Sequence, residues 1–281
     1  MNPDGSDPLQ VSGQQIWGPF SADGTMMVHA NTPGSVADFT VWSAAGTKVS
    51  DVTVPDDGYQ PSWTPDGRIA YSAARTVCDP DFCDVQQLGI WVVNLDGSGN
   101  TKVTDDGILP AFSPDGTKLA FLAQNSAGSS SIYVANSNGS NRVPVASGVV
   151  ADDNNRPEWS PDSRRIGFVR INCVARGDCR WDLWSVAADG TDERQLTVTA
   201  NQERTLAWSP DGSKIAVSVS DPSLSASAGI FTLNAADGSG LTQLRTDGGV
   251  IFWQPIPQSY ARPKGATPLR VPLVPAFNQC T

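Results

Sequence analysis

The sequence predicts an all-β protein, a β-propeller of five four-stranded blades and part of a sixth. Three observations lead to this fold class. An aromatic residue that precedes a turn, in most copies Pro-Asp-Gly, recurs at positions 20, 63, 112, 159, 208 and 253. The separations of 43, 49, 47, 49 and 45 residues match one propeller blade. A second turn signal, Asp-Gly or Asn-Gly, recurs in phase with the first.

The first half of each repeat reads as a β-hairpin. In the clearest copy, Leu206–Val217, an apolar strand ends at Trp208 and an alternating strand begins near Ile215. Between them, Pro presets the first turn dihedral, Asp caps the second corner, and Gly212 adopts the positive φ that follows. One copy has Ser163 in place of the glycine, which we expect to strain that turn without changing its register.

The second half of each repeat supplies two more strands. An aromatic strand, such as Gly89–Val93, is followed by a tight turn at Asp96-Gly97 and then by an outer strand. The same order recurs at Asn138-Gly139, Asp189-Gly190 and Asp237-Gly238. Each period therefore holds four strands.

These motifs resemble the TolB-type β-propeller repeats, a WD-like family marked by Trp-Ser-Pro-Asp-Gly and a following strand of the Ile-Ala-Phe type. The copy Trp208–Gly212, followed by Ile215-Ala216-Val217, shows the resemblance most clearly. It covers roughly residues 1–255 and implies a six-bladed propeller. It does not imply the partners of TolB itself, because this motif occurs in proteins with many functions.

The repeats divide the chain into three parts. Residues 1–13 align with the outer strand of a truncated blade, 14–255 contain the repeats, and 256–281 form a Pro-rich tail or a linker to a missing domain. The chain thus opens within a blade, so we expect further sequence upstream, including any signal peptide. Residues 1–13 and 250–253 are expected to lie near one another at a gap in the ring.

Two pairs of cysteines occupy the same loop of two repeats, Cys78 with Cys83 and Cys173 with Cys179. Such short spacings favour disulfides that pin long loops; a zinc site would need closely matched pairs or nearby histidines. The interpretation implies an oxidising compartment, so that the protein is periplasmic, in the cell wall or secreted. Cys280 remains without an assigned partner.

Composition excludes several functions. With 19 basic and 29 acidic residues the formal net charge is −10, which disfavours nucleic acid as a partner. No apolar run is long enough to be a transmembrane segment. The single histidine, His29, falls in mid-strand, where a packing or surface role is expected. We find no catalytic constellation and predict no cofactor and no metal.

Acidic residues recur in the loops between repeats, which propeller geometry places around one mouth of the channel, on the same face as the cysteine loops. One explanation is that Asp-Gly sequences are simply good turn formers. The other is that the summed carboxylates attract a cation, an amine or a basic segment of a partner. The candidate ligand-binding residues are Asp56, Asp57, Asp105, Asp106, Asp152, Asp153, Arg156, Arg204 and Asp247.

These features favour a monomeric, non-catalytic binding scaffold whose loop-rich face recognises a protein or a small envelope ligand. The alternative is the propeller portion of a larger enzyme whose catalytic domain is absent here. Similar propellers accompany prolyl-oligopeptidase-like peptidases and form some carbohydrate-active enzymes.

Overall fold

The structure is a computed structural model. It describes residues 18–31, 38–79, 82–124, 129–149, 155–175, 178–199, 202–220, 229–246, 251 and 253. Within these ranges the regular secondary structure consists of strands alone, arranged as successive antiparallel meanders. The predicted all-β class is therefore confirmed for the described part of the chain.

The strands form five consecutive units, here named sheets 1 to 5. Sheet 1 contains β1 (Met26–Ala30), β2 (Phe39–Ser43) and β3 (Lys48–Val52). Sheet 2 contains β4 (Asp57–Trp63), β5 (Ile69–Cys78), β6 (Cys83–Val93) and β7 (Thr101–Lys102). Sheet 3 contains β8 (Ile108–Phe112), β9 (Lys118–Gln124), β10 (Ser130–Asn136) and β11 (Val143–Ser147).

The last two units are joined edge to edge. Sheet 4 contains β12 (Glu158–Trp159), β13 (Arg165–Ala175), β14 (Asp178–Ala187) and β15 (Arg194–Gln195). Sheet 5 contains β16 (Gln202–Trp208), β17 (Lys214–Ser220), β18 (Gly229–Asn234) and β19 (Thr242–Arg245). A single parallel pairing, Trp181 with Gln202, links β14 to β16.

The Pro-Asp-Gly turns form as the sequence predicts. In sheet 3 the Gly116 amide donates to the Ser113 carbonyl at 2.9 Å, and the Asp115 carboxylate accepts from the Ser113 hydroxyl at 2.6 Å. Ser163, which replaces the glycine in sheet 4, adopts a φ of 61° and keeps the same turn bond to Ser160 at 2.9 Å. Strain at an unchanged register is thus confirmed.

The core lies between neighbouring sheets. One cluster joins Phe39 and Val41 of sheet 1 to Trp63 and Tyr71 of sheet 2. Another joins Leu122 of sheet 3 to residues of sheet 4 such as Phe168. The first strands of sheets 2 to 5, β4, β8, β12 and β16, end at a common cavity, where the candidate site lies.

The ends of the repeat region are described only in part. Phe20 forms an isolated bridge to Met27, and Ile251 packs on Ala207 and Ile230 of sheet 5. The predicted boundaries at residues 13 and 255, and the predicted gap between residues 1–13 and 250–253, fall mainly outside the described residues. The number of blades and the closure of the ring therefore stay predictions.

Candidate functional site

A cavity of about 530 Å³ lies where the first strands run into the Pro-Asp-Gly turns. We call it the funnel. Six copies of the repeat contribute their aromatic residue to its lining, and four contribute the proline of the turn. The aromatic residues are Phe20, Trp63, Phe112, Trp159, Trp208 and Trp253. The funnel thus opens on the face of the tight turns.

The tryptophans build the wall of the funnel. The Trp63 Nε1 donates to the Pro19 carbonyl at 2.9 Å, and the Trp159 Nε1 donates to the Ala111 carbonyl at 2.8 Å. Trp208 makes the equivalent bond to the Glu158 carbonyl at 3.1 Å. Each bond reaches back to the preceding copy of the repeat. These indoles are largely buried, so their main role is to join neighbouring sheets.

In sheets 2 to 5 the residue before the aromatic also lines the funnel. Small side chains occupy this position in three sheets, Ser62, Ala111 and Ala207, whereas sheet 4 has Glu158. Burial raises the pKa of Glu158 to about 7, against the opposing positive charge of Arg156. A carboxyl group with this pKa exchanges its proton near neutral pH.

Arg156 extends from sheet 4 to sheet 2. Its Nη2 donates to the Pro61 carbonyl at 2.8 Å. The side chain therefore connects sheet 4 directly to sheet 2, although sheet 3 lies between them in the chain. Arg156 precedes Glu158 by two residues and therefore lies deeper along the channel, away from the turns. The two residues give the inner end of the funnel one cationic and one titratable acidic group.

The predicted acidic residues at the loop-rich face have local partners. Asp56 pairs with Arg75 at 2.6 Å, Asp105 pairs with Lys102 at 2.9 Å, and Asp106 pairs with Arg142. Asp57 is exposed at the start of β4. Asp152, Asp153 and Asp247 lie outside the described residues.

The two predicted arginines lie in different environments. Arg156 lines the funnel, as described above. The Arg204 guanidinium lies 4.2 Å from the centre of the Trp181 ring, and its Nη2 donates to Gln202 Oε1 at 2.8 Å. The structure thus assigns Arg156 to the channel and Arg204 to a stacked contact beside β14.

The paired cysteines lie at the tips of two long hairpins. Cys78 and Cys83 form a disulfide, which confirms that prediction. In the second hairpin Cys179 is disulfide-bonded and lies directly opposite Cys173 in the strand register. The side chain of Cys173 and all of Cys280 lie outside the described parts, so the Cys173–Cys179 bond stays a prediction.

The sequence-based reasoning missed Glu158. Aligning the internal repeats at the position before the aromatic residue shows Ser62, Ala111 and Ala207 beside a single glutamate. This contrast can be seen in the sequence alone. The position of Glu158 beside Arg156 in the funnel can be seen only in the structure.

Two further observations concern metals and membranes. No group of three or more His, Cys, Asp or Glu side chains is placed to hold a metal ion in the described ranges. A search for membrane-spanning helices over the same residues finds no candidate.

Comparison with known proteins supports the fold. No protein-family model and no curated protein matches the chain. Among solved structures, a putative TolB from Agrobacterium tumefaciens is 20% identical with a TM-score of 0.58, covering 81% of this chain and 79% of that one. TolB from Acinetobacter baumannii is 20% identical with a TM-score of 0.56, covering 80% of this chain and 53% of that one.

An enzyme also has a similar structure. A puromycin hydrolase mutant complexed with PGG is 18% identical with a TM-score of 0.54, and the match covers 80% of this chain but 37% of the hydrolase. At such identities the similarity establishes the fold alone. The chain has a TolB-like β-propeller fold.

Proposed function

We propose that this protein is a non-catalytic binding scaffold that recognises an extended segment of a protein or a small envelope ligand in an extracytoplasmic compartment. The observation that carries the proposal is the funnel. Its volume of about 530 Å³ falls within the range of ligand pockets, and its aromatic and proline lining surrounds a few polar groups. Such walls give a ligand apolar contact area, and the Arg156–Glu158 pair can orient it.

The chemistry of the funnel favours a ligand with one basic group. Glu158 can accept a hydrogen bond from an amine or guanidinium, while the aromatic edges and prolines contact apolar parts of the ligand. The formal net charge of −10 also attracts a basic ligand over long distances. Within the described lining, Glu158 lacks a partnered nucleophile of the kind that a hydrolase requires.

The disulfide supports the proposed compartment. Disulfides persist in oxidising environments and are rare where thiols are kept reduced. Cys78 and Cys83 form one at an exposed hairpin tip, where a reducing cytosol would have access to it. We therefore assign the protein to the periplasm, the cell wall or the medium, and we expect it to act as a monomer.

Peptide selection tests the proposal. A library of random dodecapeptides would be selected on the whole protein, and the enriched peptides measured against Glu158→Gln. We expect enrichment of peptides with a basic residue and at least tenfold weaker binding to the variant, because one charge-assisted hydrogen bond is lost. Asp106→Asn, at the loop-rich face, is the control and should bind normally.

The same experiment distinguishes the funnel from the loop-rich face. Weaker binding by Asp106→Asn or Asp56→Asn, with normal binding by Glu158→Gln, would move the site to the acidic residues of the inter-blade loops. Failure to enrich any peptide would contradict a peptide-binding scaffold.

A second candidate function is the propeller portion of a larger enzyme. The similarity to puromycin hydrolase favours it, because the match covers 37% of that chain and so leaves room for another domain. Sequencing the reading frame on both sides of this chain tests the idea. A hydrolase domain in the same frame would support it, and stop codons without such a domain would exclude it.

A further inference from the structure

Two acidic side chains are buried where sheets 4 and 5 meet. Asp182 in β14 and Glu203 in β16 are each 1% exposed. They lie one residue beyond the Trp181–Gln202 pairing that joins the two strands, and the segment from Leu196 to Thr199 connects the sheets beside them. Both carboxylates accept hydrogen bonds from Thr199, Asp182 from its amide and Glu203 from its hydroxyl, so the two groups lie beside each other.

An acid occurs at the first of these positions in one other sheet and at the second in none that is described. Strand register aligns Asp182 with Asp38, Gly89, Ser131 and Gly229 in the other sheets, and Asp38 accepts from the Val54 and Gly58 amides. Glu203 aligns with Gly58 and Gly107. Gly89 and Gly107 show that small uncharged residues can occupy both positions, and among the described junctions only this one has an acid at both. Burying two carboxylates is costly unless something compensates their charge.

The junction of sheets 4 and 5 lacks an aromatic ring that excludes a side chain at the junction of sheets 2 and 3. A Cβ placed on Gly107 would lie 2.5 Å from the Phe121 ring, so that ring excludes a side chain there. The residue equivalent to Phe121 in sheet 5 is Val217. Val217 therefore lacks the ring that excludes a side chain at Gly107, and Glu203 occupies the corresponding position.

The pair has oxygen atoms that the protein uses only in part. The Asp182 carboxylate accepts from the Gln195 side-chain amide at 2.9 Å and from the Thr199 amide at 3.3 Å. Glu203 Oε1 accepts from the Thr199 hydroxyl at 2.8 Å. The other oxygen of Glu203, Oε2, is buried and has no hydrogen-bond partner. A buried carboxylate oxygen without a donor points to a bound group.

We infer that Asp182 and Glu203 bind one Ca²⁺ ion between sheets 4 and 5. Two carboxylates balance its charge, and hydroxyl oxygens of Thr197 and Thr199, together with water, can complete an all-oxygen shell. Thiolates and imidazoles, which favour zinc, do not contribute. The ion would fix the angle between two sheets whose strands pair with each other at a single residue pair.

Terbium luminescence tests this inference on the whole protein. Tb³⁺ replaces Ca²⁺ in oxygen sites, and Trp181, next to Asp182, can sensitise its emission. We expect emission from the unmodified protein, displacement by excess Ca²⁺, and loss of the signal in Asp182→Asn and Glu203→Gln. Asp106→Asn is the matched control, since it lies one residue before Gly107, the counterpart of Glu203.

Thermal unfolding supplies an independent readout. Ca²⁺ at a hundredfold excess over its Kd should raise the melting temperature by about 5 °C relative to protein in a chelator. If the single variants fail to fold, the double variant Asp182→Gly, Glu203→Gly introduces the glycine pair found at the junction of sheets 2 and 3 and should lose the Ca²⁺ effect. Terbium emission that both variants retain, or a melting temperature that Ca²⁺ leaves unchanged, would overturn the inference.

Discussion

At the junction of sheets 2 and 3, Gly89 and Gly107 occupy the positions that Asp182 and Glu203 occupy at the junction of sheets 4 and 5. The first junction is filled by the Phe121 ring, with Arg142 placed 5.2 Å from its centre. The second replaces the ring with Val217 and buries acids. The same strand geometry therefore accepts either an apolar or a polar filling.

The comparison extends to the electrostatics of the two regions. Aspartates in the turns of sheets 2 and 3, such as Asp96 and Asp115, have lowered pKa values because hydroxyl and amide groups donate to them. Glu158, Asp182 and Glu203 of sheets 4 and 5 instead have raised pKa values because they are buried. Turn acids serve the fold, whereas these three are candidates for function.

The largest loss of stability is expected when the glutamate of the junction of sheets 4 and 5 is introduced at the junction of sheets 2 and 3. Gly107→Glu should destabilise the protein by about 3 kcal/mol or more, because its Cβ would clash with Phe121 and its φ of 95° is strained for any other residue. Urea unfolding measures the loss. Stability close to that of the unmodified protein would mean that Phe121 does not define the junction.

A smaller effect is expected from the tryptophan that joins sheet 5 to sheet 4. Trp208→Phe keeps an aromatic ring but removes the donor to the Glu158 carbonyl, at a cost of about 1 kcal/mol. Sheet 3 provides the control, because it carries Phe112 at the same position and lacks such a donor. Phe112→Leu changes only the packing of the ring and is measured in the same urea experiment. If Trp208→Phe and Phe112→Leu lose the same free energy of unfolding, the result would argue against a contribution from the hydrogen bond.

The pH dependence of stability distinguishes Glu158 from the turn acids. The folded protein holds the Glu158 proton up to about pH 7, while the unfolded chain releases it near 4.5. Its contribution to stability is therefore full below pH 4.5 and falls as the pH rises to 7. The melting temperature of the unmodified protein should fall relative to that of Glu158→Gln between pH 4.5 and 7. A difference in melting temperature that does not change with pH would contradict a pKa of Glu158 raised by burial.

The smallest effect is expected at the hairpin tips. Replacing Cys78 and Cys83 with serine should cost less than about 1 kcal/mol, at the low end of the range for a disulfide, since the bond closes a very short loop and the tip is exposed. Thiol counting on denatured, unreduced protein should find about one free thiol, which we assign to Cys280. Three free thiols would show that the second hairpin is not cross-linked by Cys173 and Cys179.

Local chemistry allowed the sequence to predict the repeated hairpins and one disulfide. A turn such as Ser113–Gly116 depends on residues within a few positions of one another, so its bonds can be inferred from the letters alone. Cys78 and Cys83 are likewise neighbours in the chain and flank a hairpin end. The repeat period then fixed the strand content because each unit is one local meander.

The candidate sites depend on contacts between sheets that are distant in sequence. Arg156 reaches Pro61, which is 95 residues earlier, and Asp182 meets Glu203 only because β14 and β16 lie side by side. Whether a carboxyl group lies in water or in the core decides its pKa, and an aspartate in a turn is indistinguishable by its letter from one that is buried. The sequence determined the repeating unit; only the packing of one unit against the next decided which of its acids are buried together.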